Sequence, residues 1–274
     1  MRRARALVLA AVVAMMAAGA AAEPAATRLA AHRGGGLLWP ENSLTAFRNA
    51  IALGADYLEF DVHLSSDGEV VVIHDPTLDR TTNGSGPVRQ KALAELRALR
   101  LKDRSGAVTG DTIPTLDELA ALAAAGRRRM LLEIKVDERG QPYPGIEDKV
   151  GAILDRRGMV PSTVVMAFEV ETWRRVRQLR PDLTAGALYS PRTLAAMGST
   201  AQREVLAASR AGVAFMGLQH ALIDGDMIAS ARRHNILLGA WTVNDADAMR
   251  KMIGLGVGVL ITDRPDVAKT LLAP

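Results

Sequence analysis

The 274-residue sequence predicts an α/β fold, a TIM (β/α)8 barrel with a small insertion after the second strand region. Three observations carry that expectation. Eight short apolar, strand-like runs recur along the chain, amphipathic stretches of helical spacing separate most of them, and most of those stretches stop at Gly or Asn. Strands that alternate with helices lie parallel, because each helix returns the chain to the same end of the sheet. Eight such units fit this length as one closed barrel. An apolar content of 49% supplies the core.

The N-terminal element stands apart. MRRARALVLAAVVAMMAAGAAAEPAA has a basic start (Arg2, Arg3, Arg5), an apolar middle and small residues up to Ala22. Ala20 and Ala22 fit an A-x-A cleavage pattern, so residues 1–22 read as a secretory signal peptide and 23–274 as the mature domain. The apolar run is short and Ala-rich for a bilayer span. Export is therefore expected, to the periplasm or beyond it, with no stable membrane anchor after cleavage. Cleavage removes those arginines and lowers the formal charge from +4 to +1. No basic stripe with interleaved aromatics points to nucleic acid, and Arg127, Arg128 and Arg129 read as a solvated strand entrance. With no cysteine, the chain has neither disulfides nor a thiolate site.

The remaining elements follow in order. TRLAAHR (27–33) is the first strand and SLTAFRNAIALG (43–54) its helix. YLEFDVHL (57–64) is the second strand, which VVVIHD extends as a hairpin after the turn SSDG. Residues 76–128 form the insertion, with helical patterns in VRQKALAELRAL and TLDELAALAAAG. Then come the strands RMLLEIKV, STVVMAF, LTAGALY, VAFMGLQ, ILLGAWTV and GVLITD. Between them lie IEDKVGAILDRRG, VETWRRVRQLR, AQREVLAASRAG, DMIASARRHN and DADAMRKMIGLG. Asp263 and Pro265 are expected to cap the last helix.

Chemistry in such barrels gathers at the C-terminal ends of the strands. His32 and Arg33 end the first strand, Glu59 and Asp61 lie late in the second, Glu133 and Lys135 late in the third, and Trp241 ends the seventh. Glu59 and Asp61 are two apart on a strand and share a face. Three converging carboxylates repel one another unless cations neutralise them. Ion pairs with Arg33 and Lys135 would serve; so would a bound Mg²⁺, Ca²⁺ or Mn²⁺, which favour oxygen ligands, and the adjacency of the strands favours the metal. His32 and His74 stand in the most polar strand-like neighbourhoods and suit an acid/base pair. His63 shares the face of Glu59 and Asp61 but reads as a supporting or solvated residue, and His220 and His234 as surface residues. Arg33 and Lys135 then suit an anionic substrate such as a phosphoryl group. Gly34, Gly35 and Gly36 would let the backbone approach it.

These motifs together resemble a known family. HRG at 32–34, PENS at 40–43 followed by AF, GADYLEFDVHLSSDGEVVVIHDPTLDRTT at 54–82, LEIK, WTVN and GVLITDRP look like a glycerophosphodiester phosphodiesterase, in order over nearly all of the mature chain. The resemblance implies a metal-dependent hydrolase of small glycerophosphodiesters such as glycerophosphocholine and glycerophosphoethanolamine. It implies His32 and His74 as the acid/base pair and Glu59, Asp61 and Glu133 as ligands of Ca²⁺ or Mg²⁺, with Mn²⁺ as a further fit. Arg33 and Lys135 would bind phosphate, Trp241 would line the glycerol or alcohol pocket, and Glu41 would be a polar group near the metal. Departures are mild: Ser43 stands where threonine is common, as do Ser65 and Ser66.

Other readings are open at this stage. A lysophospholipase D on the same barrel needs an apolar rim, which Leu37, Leu38 and Trp39 could supply. An exported phosphodiester-binding protein would not need an acid/base pair. A glycosidase would use two carboxylates and leave Lys135 and both histidines idle.

Overall fold

The computed structural model describes residues 26–273; the signal segment expected at 1–22 lies outside the described residues. The strands are β1 (Arg28–Ala31), β2 (Tyr57–Leu64), β3 (Val70–Val72), β4 (Arg129–Ile134), β5 (Thr163–Ala167), β6 (Thr184–Tyr189), β7 (Phe215–Gln219), β8 (Leu237–Trp241) and β9 (Val259–Thr262). All but β3 form a closed parallel barrel in the order β1-β9-β8-β7-β6-β5-β4-β2, with β2 pairing back to β1. β3 runs antiparallel to the far end of β2, pairing Val62 with Val72 and Leu64 with Val70. This is the hairpin extension expected from the SSDG turn.

The alternation along β2 explains why every one of its residues is buried. Leu58, Phe60, Val62 and Leu64 face the outer layer of core, against the helices, and the intervening Tyr57, Glu59, Asp61 and His63 share the opposite face. In the outer layer, Phe47 of α1 (Leu44–Leu53) meets Phe60 edge-on at 6.0 Å. Its full burial contributes roughly 1.5–3 kcal/mol. Ser43 caps α1 by accepting the Ala46 N–H, so serine does here what threonine would. The bottom of the barrel interior is filled by Ala30, Tyr57, Leu131, Phe215, Val259 and their neighbours. A Cβ on Gly239 would lie 2.7 Å from the Phe215 ring, so glycine there makes room for it.

The insertion is narrower than 76–128. Leu78, Val88, Leu96, Leu101 and Ile113 build a small core of their own with Val71 and Ile73. By contrast α3 (Leu116–Ala125) buries Leu116, Leu119, Ala120 and Ala123 in the main core and is the barrel's own crossover helix. The pattern VRQKALAELRAL does not form one helix. A 3-10 turn spans Val88–Gln90, and α2 begins only at Leu93 (Leu93–Ala98). Lys91 between them is extended because its carbonyl accepts the Ser66 N–H of the SSDG turn, a tertiary contact that overrides the local helical preference.

The helical ring continues with α4 (Ile146–Arg156) and α5 (Val170–Leu179), then α6 (Pro191–Ala196), α7 (Ala201–Arg210), α8 (Gly225–Arg233), α9 (Ala246–Leu255) and α10 (Pro265–Leu272). The short α6 was not expected, although its Ser190 cap and Pro191 at the first position are sequence signals. No described helix is long and apolar enough to cross a membrane.

Candidate active site

Beyond Ala31 the first strand ends in a 3-10 turn, His32–Gly34, in which Arg33 takes a left-handed conformation (φ 51°). For a residue with a side chain this is uncommon. It turns the Arg33 N–H onto Glu59 Oε2 at 2.9 Å. Gly34 (φ 82°) packs so closely on α1 that a Cβ would lie 2.7 Å from that of Ala46. The glycine run therefore serves a tight turn against a helix. That accounts for Gly34 without any approach of backbone to ligand.

Glu59, Asp61 and Glu133 converge as expected from adjacent strand ends, with Asp61 and Glu133 in register on β2 and β4. One carboxylate oxygen from each lies within 4.8 Å of the others, and all three residues are buried. Burial raises the Glu59 pKa well above the usual carboxylate range; His32 opposes this, while Asp61 and Glu133 add to it. Burial would raise Asp61 too, but His74, Lys135 and Arg33, with a hydrogen bond from Asn42, hold it well below its ordinary value. Lys135 Nζ is 2.6 Å from Glu133 and 3.6 Å from Asp61, and Arg33 Nε is 3.7 Å from Asp61. Lys135 thus pairs with Asp61 and Glu133, and Arg33 divides its side chain between Asp61 and Glu41, so neither cationic side chain pairs with Glu59. A cluster of three buried oxygen donors with one under-neutralised carboxylate fits a hard divalent cation.

Each candidate histidine is tethered through one ring nitrogen. His32 Nδ1 is 2.6 Å from Asp263 Oδ1, and His74 Nδ1 is 2.7 Å from Asp75 Oδ1. The other nitrogens lie at the two ends of a contact path: His32 Nε2 is 3.9 Å from Glu59, and His74 Nε2 is 3.3 Å from Lys135 Nζ. Burial lowers the His32 pKa, but Glu59 and Asp263 outweigh it and the net shift is upward. A cavity of about 180 Å³ receives His32, Arg33, Glu59, His74, Glu133 and Lys135. Its far wall is apolar and includes Trp241, set edge-on to Phe168 with centroids 5.5 Å apart.

Two placements, those of Asp263 and Glu41, differ from the sequence reading, and His63 takes the supporting role expected of it. Asp263 does not cap α10, whose N-cap is Arg264; it holds His32 and also accepts from Asn244. Glu41, expected as a polar group near the metal, lies outside the cavity that the histidines, Glu59 and Glu133 share. Arg33 and a two-pronged Arg80 hold it, and it faces a neighbouring cavity. His63 is fully buried, with its ring between the Tyr143 hydroxyl and the His74 carbonyl oxygen. Burial drives its pKa down to about 4, so it stays neutral and braces the His74 segment. The sequence reading missed Asp75, Arg80 and Asn42 entirely. Asp75 directly follows His74, and Asn42 follows Glu41, but neither adjacency reveals a hydrogen bond.

A family model described as the glycerophosphoryl diester phosphodiesterase family matches residues 32–267. The chain is 32% identical over 247 residues to a glycerophosphodiester phosphodiesterase of Caldanaerobacter subterraneus subsp. tengcongensis, covering 90% of this chain and 98% of that one. Its fold is similar to a glycerophosphodiester phosphodiesterase from Agrobacterium tumefaciens (TM-score 0.74, 27% identity, 89% and 99% covered). It is also similar to an Oleispira antarctica phosphodiesterase solved with the product sn-glycerol-3-phosphate (TM-score 0.76, 25% identity, 89% and 96% covered).

Proposed function

The chain belongs to the glycerophosphoryl diester phosphodiesterase family, and from that premise we propose that it hydrolyses small glycerophosphodiesters, such as glycerophosphocholine and glycerophosphoethanolamine, to glycerol 3-phosphate and the free alcohol. It is an enzyme, a phosphoric diester hydrolase. One observation carries the finer reading. Two histidines, each anchored at Nδ1 by its own aspartate, flank a buried three-carboxylate cluster and share one cavity with Arg33 and Lys135.

Glu59, Asp61 and Glu133 would hold a divalent cation, Ca²⁺ or Mg²⁺ by donor type, with Mn²⁺ also accommodated. Bound there, such an ion supplies charge neutralisation at phosphoryl oxygens and a lowered hydroxyl pKa. The rest falls to the protein's own groups. With Nδ1 held by its aspartate, each imidazole keeps Nε2 for the substrate. One Nε2 takes the proton of the glycerol 2-hydroxyl as that oxygen bonds to phosphorus. The other imidazole, protonated, gives its proton to the alcohol oxygen as the bond from phosphorus to that oxygen breaks. A cyclic phosphate results; water then adds at phosphorus and the ring bond to O2 opens, with the two roles reversed. Arg33 and Lys135 offset charge on the phosphoryl oxygens.

Internal attack makes a direct test. A diester lacking the 2-hydroxyl is expected not to turn over, while ³¹P NMR with glycerophosphocholine shows a transient cyclic phosphate before glycerol 3-phosphate. Equal turnover of the deoxy substrate would contradict the mechanism. The anchoring aspartate makes another. Asp263→Asn removes the charge that supports an imidazolium at His32 and is expected to lower kcat by about 10²–10⁴-fold, the range for a positioned acid or base, with KM much less affected. A change in KM alone would reduce Asp263 to a structural role. The lysophospholipase D reading fits less well, because Leu37, Leu38 and Trp39 line a groove that shares no lining residue with the catalytic cavity.

A further inference from the structure

A second cavity, of about 300 Å³, adjoins the catalytic one, and Arg33 lines both. Its walls come from the loop after β1, from the insertion and from Asp263 after β9, and they carry an uneven set of charges. Of the acids, Glu41 is saturated by Arg33 and Arg80, Asp263 holds His32 and Asn244, and Asp103 accepts from the N–H groups of Ser105 and Ala107 within its own turn. Of the bases, Arg33 and Arg80 are committed to carboxylates. Lys102 and Arg104 have no carboxylate within 4.0 Å among the described residues.

These two cations sit on a braced support. Leu101 is buried in the insertion's own core. Lys102 donates its N–H to the Thr81 carbonyl at 2.8 Å, and its Nζ donates to the Asp79 carbonyl at 3.2 Å. The Asp103 N–H closes the turn onto the Ala107 carbonyl at 2.9 Å, and Thr45 ties α1 to Asp111 at 2.6 Å. Cations that line a concave site raise the local concentration of anions. Lys102, already held at Nζ, loses little freedom on binding them, while the exposed Arg104 reaches in from the Asp103–Ala107 turn.

We propose that this cavity receives the alcohol arm of the substrate and that Lys102 and Arg104 select phosphodiesters whose alcohol carries its own anionic group, a phosphate or a carboxylate. The inference rests on the phosphodiesterase reading. The glycerol arm, common to all such substrates, needs the carboxylate cluster beside its 2-hydroxyl and the small apolar-walled cavity suits its three carbons. The alcohol then leaves past Arg33, toward the cations.

The test compares kcat/KM for bis(glycerophospho)glycerol, whose alcohol arm bears a second phosphate, with that for glycerophosphocholine, whose arm is cationic. In the wild type the ratio is expected to favour the second phosphate. In the double variant Lys102→Ala/Arg104→Ala it is expected to fall at least about tenfold, the order of one lost charge-assisted contact. Lys102→Glu/Arg104→Glu should lower it further. An unchanged ratio in both variants overturns the subsite, even if both substrates are cleaved. Failure of the wild type to cleave either diester, with metal supplied, overturns the underlying phosphodiesterase reading instead. A variant in which both substrates are lost equally counts against selection by these side chains; circular dichroism then reports whether the insertion has kept its fold.

Discussion

His32→Ala and His74→Ala are each expected to lower turnover by about 10²–10⁴-fold, the contribution of a positioned general acid or base. The fold should survive both changes. Neither side chain is part of the apolar core, and each leaves its aspartate with another partner: Asn244 for Asp263, Arg80 for Asp75. The double variant should lose little more than either single one, because both proton transfers belong to one step and residues acting as a unit are not additive. Steady-state kinetics alongside thermal unfolding checks this. Near-wild-type turnover in either single variant removes the acid/base assignment, and a collapsed unfolding transition would assign the loss to the fold.

Glu59→Gln should separate metal binding from stability. Burial and the neighbouring Asp61 and Glu133 raise the Glu59 pKa, so without a cation this group works against the fold. A carboxylate whose folded pKa is raised destabilises the folded state as pH climbs through the window between the ordinary carboxylate value and the raised one. The metal-free wild type is therefore expected to lose stability from pH 5 toward pH 7, and the glutamine variant to lose less. Calorimetric titration with Ca²⁺ or Mg²⁺ should show affinity reduced by about 10²-fold or more, the scale of 2.7 kcal/mol for a lost charged ligand. Wild-type affinity in Glu59→Gln would remove Glu59 from the ligand set.

Much of this architecture was legible in the sequence because it is periodic. The eight runs are short, apolar and separated by helical spacing, and β2 displays its alternation openly in YLEFDVHL. Two acids on one strand face follow from that alternation, and the third on the adjacent strand follows from the barrel order that the repeating strand–helix pattern predicts. What stayed hidden depends on distance along the chain. Asp263 reaches His32 across 231 residues, and no local pattern marks an aspartate before Arg-Pro as an imidazole anchor rather than a helix cap. Glu41 lies in a motif beside the site, yet Arg80, on the insertion, draws it toward the second cavity. The break in VRQKALAELRAL comes from one carbonyl claimed by the SSDG turn. Gly34 was legible as a glycine, but its need arises from Ala46, twelve residues on and one helix away.

The central claim is a metal-dependent phosphodiesterase, and release of glycerol 3-phosphate from glycerophosphocholine tests it most directly. The protein is assayed after dialysis against chelator, then again after Ca²⁺ or Mg²⁺ is restored. Release that stops with chelator and returns with the ion is the predicted result. Undiminished release from protein shown to be free of metal would contradict it, and the three buried carboxylates would then have to be explained by Arg33 and Lys135 alone.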